Sequence, residues 1–564
     1  MEKNDTSEQK PRKRTGFLTP KRIRTWRGYL TAYLMIAPAT ILVFLFGIFP
    51  VGFALFVSVH KWRLKRGAFV GLKNYINAVG DLAYLGVFLL AIGALVFAFF
   101  HFRRMYAKFG EKPEKFWLLL VPSFLQGATV LAFVYWTVVL LPNILDIADK
   151  IRGVEKTRDL FMQLLLDAFN AENVVPARTA MLWLIFASIL AGGIAFYFWR
   201  TTEHLKLQTE IALAWIMLGI GIILFRFAYQ EVLNAYQLAA ESGKAPGIVP
   251  QMIHIIGGVF LLSIGWKLWT RASEALSNRM FVLRLFGAVL CIIGGWLMIA
   301  EIPMILSAGD KDMWQGLKVT VFYSLGTIPF QLSFSLFLAI LLFQNLRGSA
   351  FFRVMFFMPY VTPTVASAAV FRQLFSNRIQ APINSLLRFF GLQPLKWLWE
   401  PTGIFALFAE KLGISGFPAW AEGPSLALVV IMIFSIWVFV GYDTVIYMAG
   451  LGNIPSELSE AAEVDGANRW DVFRFITFPL LSPTTYFLTL IAVIGTFKAF
   501  NHIWVMRLPA ALGSADTFGV VIFTEFFEKL RFGYASALAF VLFAIILSLT
   551  YVNNKIQGSR VFYG

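Results

Sequence analysis

Charge is scarce in this chain and cysteine nearly absent. Only 14% of its 564 residues are Asp, Glu, Lys or Arg, against about a quarter in a soluble domain. Soluble domains of this total length would each need a polar coat, and there are too few charges to supply them. The one cysteine, Cys291, sits inside an apolar run. That excludes a disulfide or a cysteine metal cluster within one chain and leaves a buried structural thiol as the expectation. A Walker-type phosphate loop is also missing: "GGVFLLSIGWKLW" lacks the spacing and lies in an apolar stretch. The first apolar run is too long for a cleavable signal peptide, and no small-residue cleavage site stands out.

What the chain has is apolar length. It is 58% hydrophobic, with a mean hydropathy of +0.69. Its runs of about 20 apolar residues match a bilayer core of about 30 Å. The expected fold is all-α, a polytopic membrane protein of about 12 transmembrane helices. These fall near 29–58, 82–101, 117–141, 180–199, 209–229, 249–269, 281–303, 318–343, 353–375, 425–449, 485–506 and 534–553. The formal charge of +17 collects in short clusters between the runs, the pattern of cytoplasmic loops rather than of a nucleic-acid surface.

Placing the basic tail "KPRKRTGFLTPKRIRTWRG" inside puts "HFRRMYAKFGEKPEKF", "RTTEHLKLQTE", "KLWTRASEALSNRMFVLR", "QNLRGSAFFR" and the tail "NNKIQGSR" inside too. One cluster, "KWRLKRG" after the first span, then falls outside, against the rule. Two loops, 142–179 and 376–424, are long enough to form small outside structures. Within 82–303, three spans share an apolar run with glycines, then aromatics, then a basic exit. Three related hairpins or the common grammar of membrane helices would both produce that likeness.

A charged island, "ELSEAAEVDGANRWDVFRFITFPLLSP" at 457–483, stands between two of the runs. Its first half is helix-compatible, and Ala461 and Ala462 leave a surface that another chain can approach closely. Gly466 suits a sharp turn. Trp470, Phe473 and Ile476 at three-residue spacing make an apolar stripe on a second short helix, which Pro479 and Pro483 would then end. The expectation is a polar helix–turn–helix hairpin on the cytoplasmic face.

With "IPSELSEAAEVDGANRWDVFRFITFPLLSP", this loop resembles the EAA motif of ABC-importer permeases, most closely their carbohydrate-uptake (maltose, multiple-sugar and glycerol-phosphate) branch. "APATILVFLFGIFPVGFALFVSVHKW", "FVGLKNYINAV", "GLKVTVFYSLGTIPFQLSFSLFLAILLFQNLRGSAFFRVMFFMPYVTPTVASAAVFRQLF" and "FGYASALAFVLFAIIL" resemble the same family. The resemblance implies six core spans and about six inserted ones. It divides the chain into a basic cytoplasmic tail at 1–27, the first core span and an outside segment at 28–80, inserted membrane hairpins at 81–305, and five further core spans at 306–564 with the coupling loop at 451–483. An even number of inserted spans preserves sidedness, and the outside position of "KWRLKRG" accords with it.

By the same resemblance the hairpin docks in a cleft of a cytoplasmic ATPase. Glu460, Ala461, Ala462 and Gly466 would be its coupling element, with Glu457, Asp465 and Arg469 as polar contacts. The chain itself then binds no cofactor, ATP and Mg belonging to two ATPase copies. Such families commonly pair two different permeases, so a heterodimer is expected, with an extracellular binding protein delivering substrate. The setting implied is a bacterial or archaeal cell membrane with both termini cytoplasmic.

Polar side chains within core spans are the candidates for a substrate path, because polar groups in lipid must pair or line a cavity. They are Trp437, Tyr442, Asp443 and Thr444 along the tenth span, and Lys498, Asn501 and His502 along the eleventh. His502 reads as a packing group rather than a metal ligand. Where sugar permeases often carry a "TGGGP"-like segment, this chain has "RLPAALGSADTFG". The competing function is an ion-coupled secondary transporter working without an ATPase, which would leave the charged loop unexplained.

Overall fold

The computed structural model describes residues 20–109, 113–199, 202–241, 248–272, 278–299, 309–344, 347–414, 417–418 and 421–557. Most of the basic tail 1–27 and the end of "NNKIQGSR" lie outside these residues. Helix dominates throughout, as a chain that must satisfy its backbone inside a bilayer requires.

The first span is built in two pieces. Helix α1 (Pro20–Val43) passes through a π-helical turn at Phe44–Ile48 into α2 (Phe49–Ser58), which has Pro50 at its start. Proline lacks an N–H, and its ring crowds the carbonyl four residues back. The wider turn, closed by the Phe49 N–H on the Phe44 carbonyl, makes room for it. A short antiparallel hairpin, β1 (His60–Trp62) and β2 (Arg66–Phe69), leads to α3 (Lys73–Val79).

The central section comprises α4 (Leu82–Lys108), α5 (Pro113–Lys150), α6 (Arg158–Phe169), α7 (Val174–Trp199), α8 (Thr202–Glu241), α9 (Ile248–Ala272) and α10 (Asn278–Ile299). Chain neighbours are not always packing neighbours here. Helix α4 lies on α8, and α5 on α7 and α8, so these four are laced into one bundle, whereas α9 and α10 pack as a hairpin. The 142–179 loop is shorter than expected, because α5 runs on to Lys150 and α6 takes up Arg158–Phe169.

The section leaves and returns at one place. The Asp310 N–H donates to the Ala78 carbonyl at 3.1 Å, and the Tyr534 hydroxyl donates to Asp310 at 2.5 Å. Two of the four basic side chains in the cluster that broke the charge rule are paired within the fold. Arg66 pairs with Asp146 at 2.9 Å and Lys65 with Asp149 at 3.2 Å, both acids at the end of α5.

The remaining helices are α11 (Lys311–Phe343), α12 (Ser349–Val361), α13 (Thr364–Leu374), α14 (Pro382–Phe389), α15 (Ile404–Lys411), α16 (Leu426–Gly452), α17 (Ser456–Val464), α18 (Arg469–Val472), α19 (Phe478–Leu480), α20 (Ser482–Phe497), α21 (Asn501–Met506), α22 (Phe518–Phe523) and α23 (Phe532–Gln557). Among the described residues eight helices are long and apolar enough to cross a membrane, ten if each bent pair counts as one. Helices α9 and α10 fall at the two other expected positions.

Two expected straight spans are broken. Residues 353–375 form α12 and α13, bent by 94° at Thr362–Pro363. Proline disfavours helical geometry in the residue before it, which ends α12 there. Residues 485–506 stop being helical at Lys498–Phe500. The main core gathers around α16, where Phe434, Ile431 and Leu428 meet Tyr323 of α11 and Ile503 and Met506 of α21.

Candidate functional site

Two features stand out, one at an end of the core and one inside it. The first is the charged hairpin. Helix α17 closes with the Gly466 N–H on the Glu463 carbonyl (3.1 Å) and the Ala467 N–H on the Ala462 carbonyl (2.9 Å). This is a terminating motif that needs a left-handed residue. Gly466 supplies it at φ +88°. Asn468 then starts the second limb: its side-chain oxygen accepts from the N–H groups of Trp470 and Asp471, and Asp471 accepts from the Asn468 N–H. That capping box gives Asp471 a structural partner. Glu457, Glu460, Ala461, Asp465 and Arg469 are exposed and Ala462 is half-buried. None of the four charged side chains in that group has an ion-pair partner within 4.0 Å among the described residues.

The second limb differs from the expected short helix. Helix α18 continues through a π-helical turn at Phe473–Thr477 into α19, so the limb passes Pro479 and bends, by 61°, only at Leu481 on entering α20. The wide turn again makes room for a proline, as at Pro50. It also adds a residue to the repeat. The Trp470 ring packs on Phe473 at 5.3 Å, but Phe478, not Ile476, takes the third place, at 6.0 Å from Phe473. The limb is therefore the head of a membrane helix.

The second feature is a cavity of about 330 Å³ between α11, α12, α13, α16, α20 and α21. Four of the five principal path candidates line it: Tyr442, Asp443, Asn501 and His502, together with Lys498. Trp437 does not. Its ring packs on Phe371 at 5.1 Å and Phe434 at 6.0 Å. Thr444 also points elsewhere, donating to the Val440 carbonyl (2.7 Å) and approaching the Ser335 carbonyl (3.3 Å) in the seam between α11 and α16.

Helical spacing explains most of the lining. Tyr323, Thr327 and Gln331 stand four residues apart on α11 and all line the cavity, because that spacing keeps them on one helix face. This stripe was readable in the sequence and was missed, as were Tyr360, Thr364, Ser435 and Thr496. Gln331 donates to Asp443 at 2.6 Å. His502 Nε2 lies 2.9 Å from the Tyr323 hydroxyl and 3.1 Å from that of Ser435, and the two hydroxyls are 2.5 Å apart. That network engages His502 as a packing group. Among the described residues no cluster of His, Cys, Asp or Glu is placed to hold a metal.

Tyr360 stacks on Tyr442, with ring centroids 4.5 Å apart and planes 22° apart. Gly441 makes that possible. A side chain there would collide with the Phe356 carbonyl, so only glycine lets α12 lie this close to α16. What results is an aromatic face beside hydroxyl and amide groups, suited to apolar ring faces and hydroxyl edges together.

At the far end from the hairpin, a group of charges ties the helix ends together. Buried Glu525 pairs with Lys529 (2.8 Å) and with Arg531, while Arg507 pairs with Asp516 at 3.2 Å and Glu528 at 3.5 Å. Arg507 also lies over the Trp504 ring at 3.8 Å. Burial holds the Asp516 carboxyl above its ordinary range despite Arg507 beside it. The "RLPAALGSADTFG" segment is thus anchored by its own first and last charges.

Residues 331–558 match the family described as "Binding-protein-dependent transport system inner membrane component". Among curated proteins, a probable ABC transporter permease, YesP of Bacillus subtilis (strain 168), is 33% identical over 45% of this chain and 75% of its own length. The lactose transport system permease LacF of Rhizobium radiobacter is 29% identical over 43% of this chain and 75% of its own. The sn-glycerol-3-phosphate transport system permease UgpA of Agrobacterium fabrum (strain C58 / ATCC 33970) is 26% identical over 56% of this chain and 97% of its own. A solved bacterial ABC transporter for import of the acidic polysaccharide alginate aligns with a TM-score of 0.38 at 18% identity, over 59% of this chain and 98% of that one.

Proposed function

Because this chain belongs to the binding-protein-dependent transport system inner membrane components, it is the multi-pass permease subunit of an ABC importer, and we propose that its cargo is a sugar or oligosaccharide. The relative named for lactose transport supports that reading. So does the cavity, with its stacked Tyr360 and Tyr442 beside hydroxyl and amide groups. Cargo reaches it from an extracellular binding protein. ATP and Mg act in a separate cytoplasmic ATPase present in two copies, and a second, different permease completes the membrane part. Both termini are cytoplasmic in this reading.

The observation that carries it is that one helix joins the two features. Helix α16 lines the cavity with Tyr442 and Asp443, and the chain turns from its end directly into α17. A push on the hairpin therefore reaches the cavity wall through a rigid rod. In this reading Glu457, Glu460, Ala461, Ala462, Asp465, Gly466 and Arg469 meet the ATPase, and Tyr442, Asp443, Asn501 and His502 border the path.

Uptake into proteoliposomes tests it. Expected is uptake that requires the ATPase, ATP and binding protein and that survives an uncoupler. Uptake by this chain alone, driven by an ion gradient, overturns the proposal in favour of a secondary transporter.

A further inference from the structure

Two charged side chains line the cavity, Asp443 on α16 and Lys498 at the break between α20 and α21. Asp443 is 4% exposed, and the hydrogen bond given to it comes from a neutral amide, Gln331. Lys498 is exposed. Neither has an ion-pair partner within 4.0 Å among the described residues. Lys498–Phe500 is also the non-helical part of the cavity wall, so the lysine stands at the break between two helices.

While the cavity is open, the exposed Lys498 is accessible to water, and Asp443 rests on the Gln331 amide. An importer must close this space in turn, and closing expels the water. An unpaired charge is then strongly disfavoured at this depth, whereas opposite charges carried by different elements of the wall can neutralise each other once brought together. We propose that Asp443 and Lys498 form an ion pair when the empty cavity closes, and that cargo holds them apart by giving hydroxyls to both. The site on this view selects neutral, polyhydroxylated cargo, since an anion would satisfy Lys498 and leave Asp443 facing a like charge. The inference rests on the reading of the cavity as the cargo path.

Cys291 is the single thiol of this chain, so Cys291→Ser leaves it without native thiols, and cross-linking and labelling are read on this chain alone after denaturing separation. In the assembled importer, Asp443→Cys with Lys498→Cys is treated with a short bis-methanethiosulfonate cross-linker, without nucleotide and with ATP plus vanadate. The expected result is a yield at least fivefold higher in whichever condition shields Asn501→Cys from a water-soluble maleimide, that is, with the cavity closed; equal yields or the reverse order overturn the proposal. Charge is tested separately by ATP hydrolysis of the assembled importer. Asp443→Lys and Lys498→Asp each lower it at least tenfold, and the two together restore it to within threefold. A double variant as impaired as the single ones overturns the ion pair. If the single reversals fail to accumulate in the membrane, Asp443→Asn and Lys498→Gln take their place: each lowers ATP hydrolysis, and hydrolysis equal to that of the unsubstituted chain overturns the ion pair.

Asn501→Cys separates this inference from the reading beneath it. Labelling by a water-soluble maleimide together with invariant cross-linking removes the ion pair and leaves the path. No labelling in either condition removes the path itself.

Discussion

The inserted section and the helices around the cavity use the same apolar alphabet to different ends. In α16, 67% of the most apolar window is buried, against 6% in α5 and 28% in α8. Helix α16 meets α11 through Ser335, Gln331, Thr444 and Asp443, all bonded to one another or to backbone. The inserted bundle is instead held largely by rings and aliphatics, with Phe102 and Phe124 each about the Trp215 edge at 5.2 and 5.1 Å. Polar atoms enter a membrane interior where they bond or border a cavity. The contrast therefore sets α16, buried on most of its surface and bonded through polar side chains, apart from the ring-packed helices of 82–299.

The hardest blow to that contrast is aimed at the hairpin. Glu460→Lys is expected to lower substrate-stimulated ATP hydrolysis of the assembled importer on the order of tenfold or more, because reversing a contact charge adds repulsion. Membrane abundance, read by immunoblot, stays unchanged. Unaltered hydrolysis would remove Glu460 from the coupling surface.

Packing is the next test. Gly441→Leu forces α12 away from α16 and is expected to destabilise by about 1–3 kcal/mol, seen as a lower Tm of the purified complex. Gly86→Ala on α4, where an added Cβ meets nothing within 4 Å, should leave Tm essentially unmoved. Equal losses would show that the two regions are packed alike. Gln331→Leu removes the donor to Asp443 and leaves a buried carboxylate without that bond, with an expected loss of about 1–3 kcal/mol, on the same assay.

Smaller effects are expected from the section 81–305. Replacing 81–305 by a short Gly/Ser linker should preserve ATPase coupling, since Ala78 and Asp310 are already hydrogen-bonded neighbours. Loss of coupling in a well-expressed variant would make the section part of the machine. Smallest of all, Asp146→Ala removes the partly exposed pair with Arg66 and should change stability by less than about 1 kcal/mol. A larger shift in Tm would mean that the junction is held chiefly by charge.

Much of the architecture is legible in the sequence, and the reasons differ by element. Hydrophobic length located the helices, and Gly466 announced its turn because left-handed backbone favours glycine so strongly. The four-residue stripe Tyr323, Thr327, Gln331 was equally legible and went unread, hidden in a helix otherwise rich in Phe and Leu. The bends at Thr362–Pro363 and Lys498–Phe500 were obscured, because hydropathy sees a run and not its direction. Trp437 and Thr444 were placed on the path by their type, yet helix rotation turned both toward neighbours.

The sequence by itself determined membrane residence, the helical class and the presence of a charged, exposed turn between two helices. Each of these depends on local composition and on spacing along the chain. Only the tertiary structure decided which helices meet, that Ala78 and Asp310 lie side by side, and which polar side chains share one cavity. Those outcomes depend on how helices rotate and cross, which is set by close contacts such as the one at Gly441 and not by any one segment's pattern.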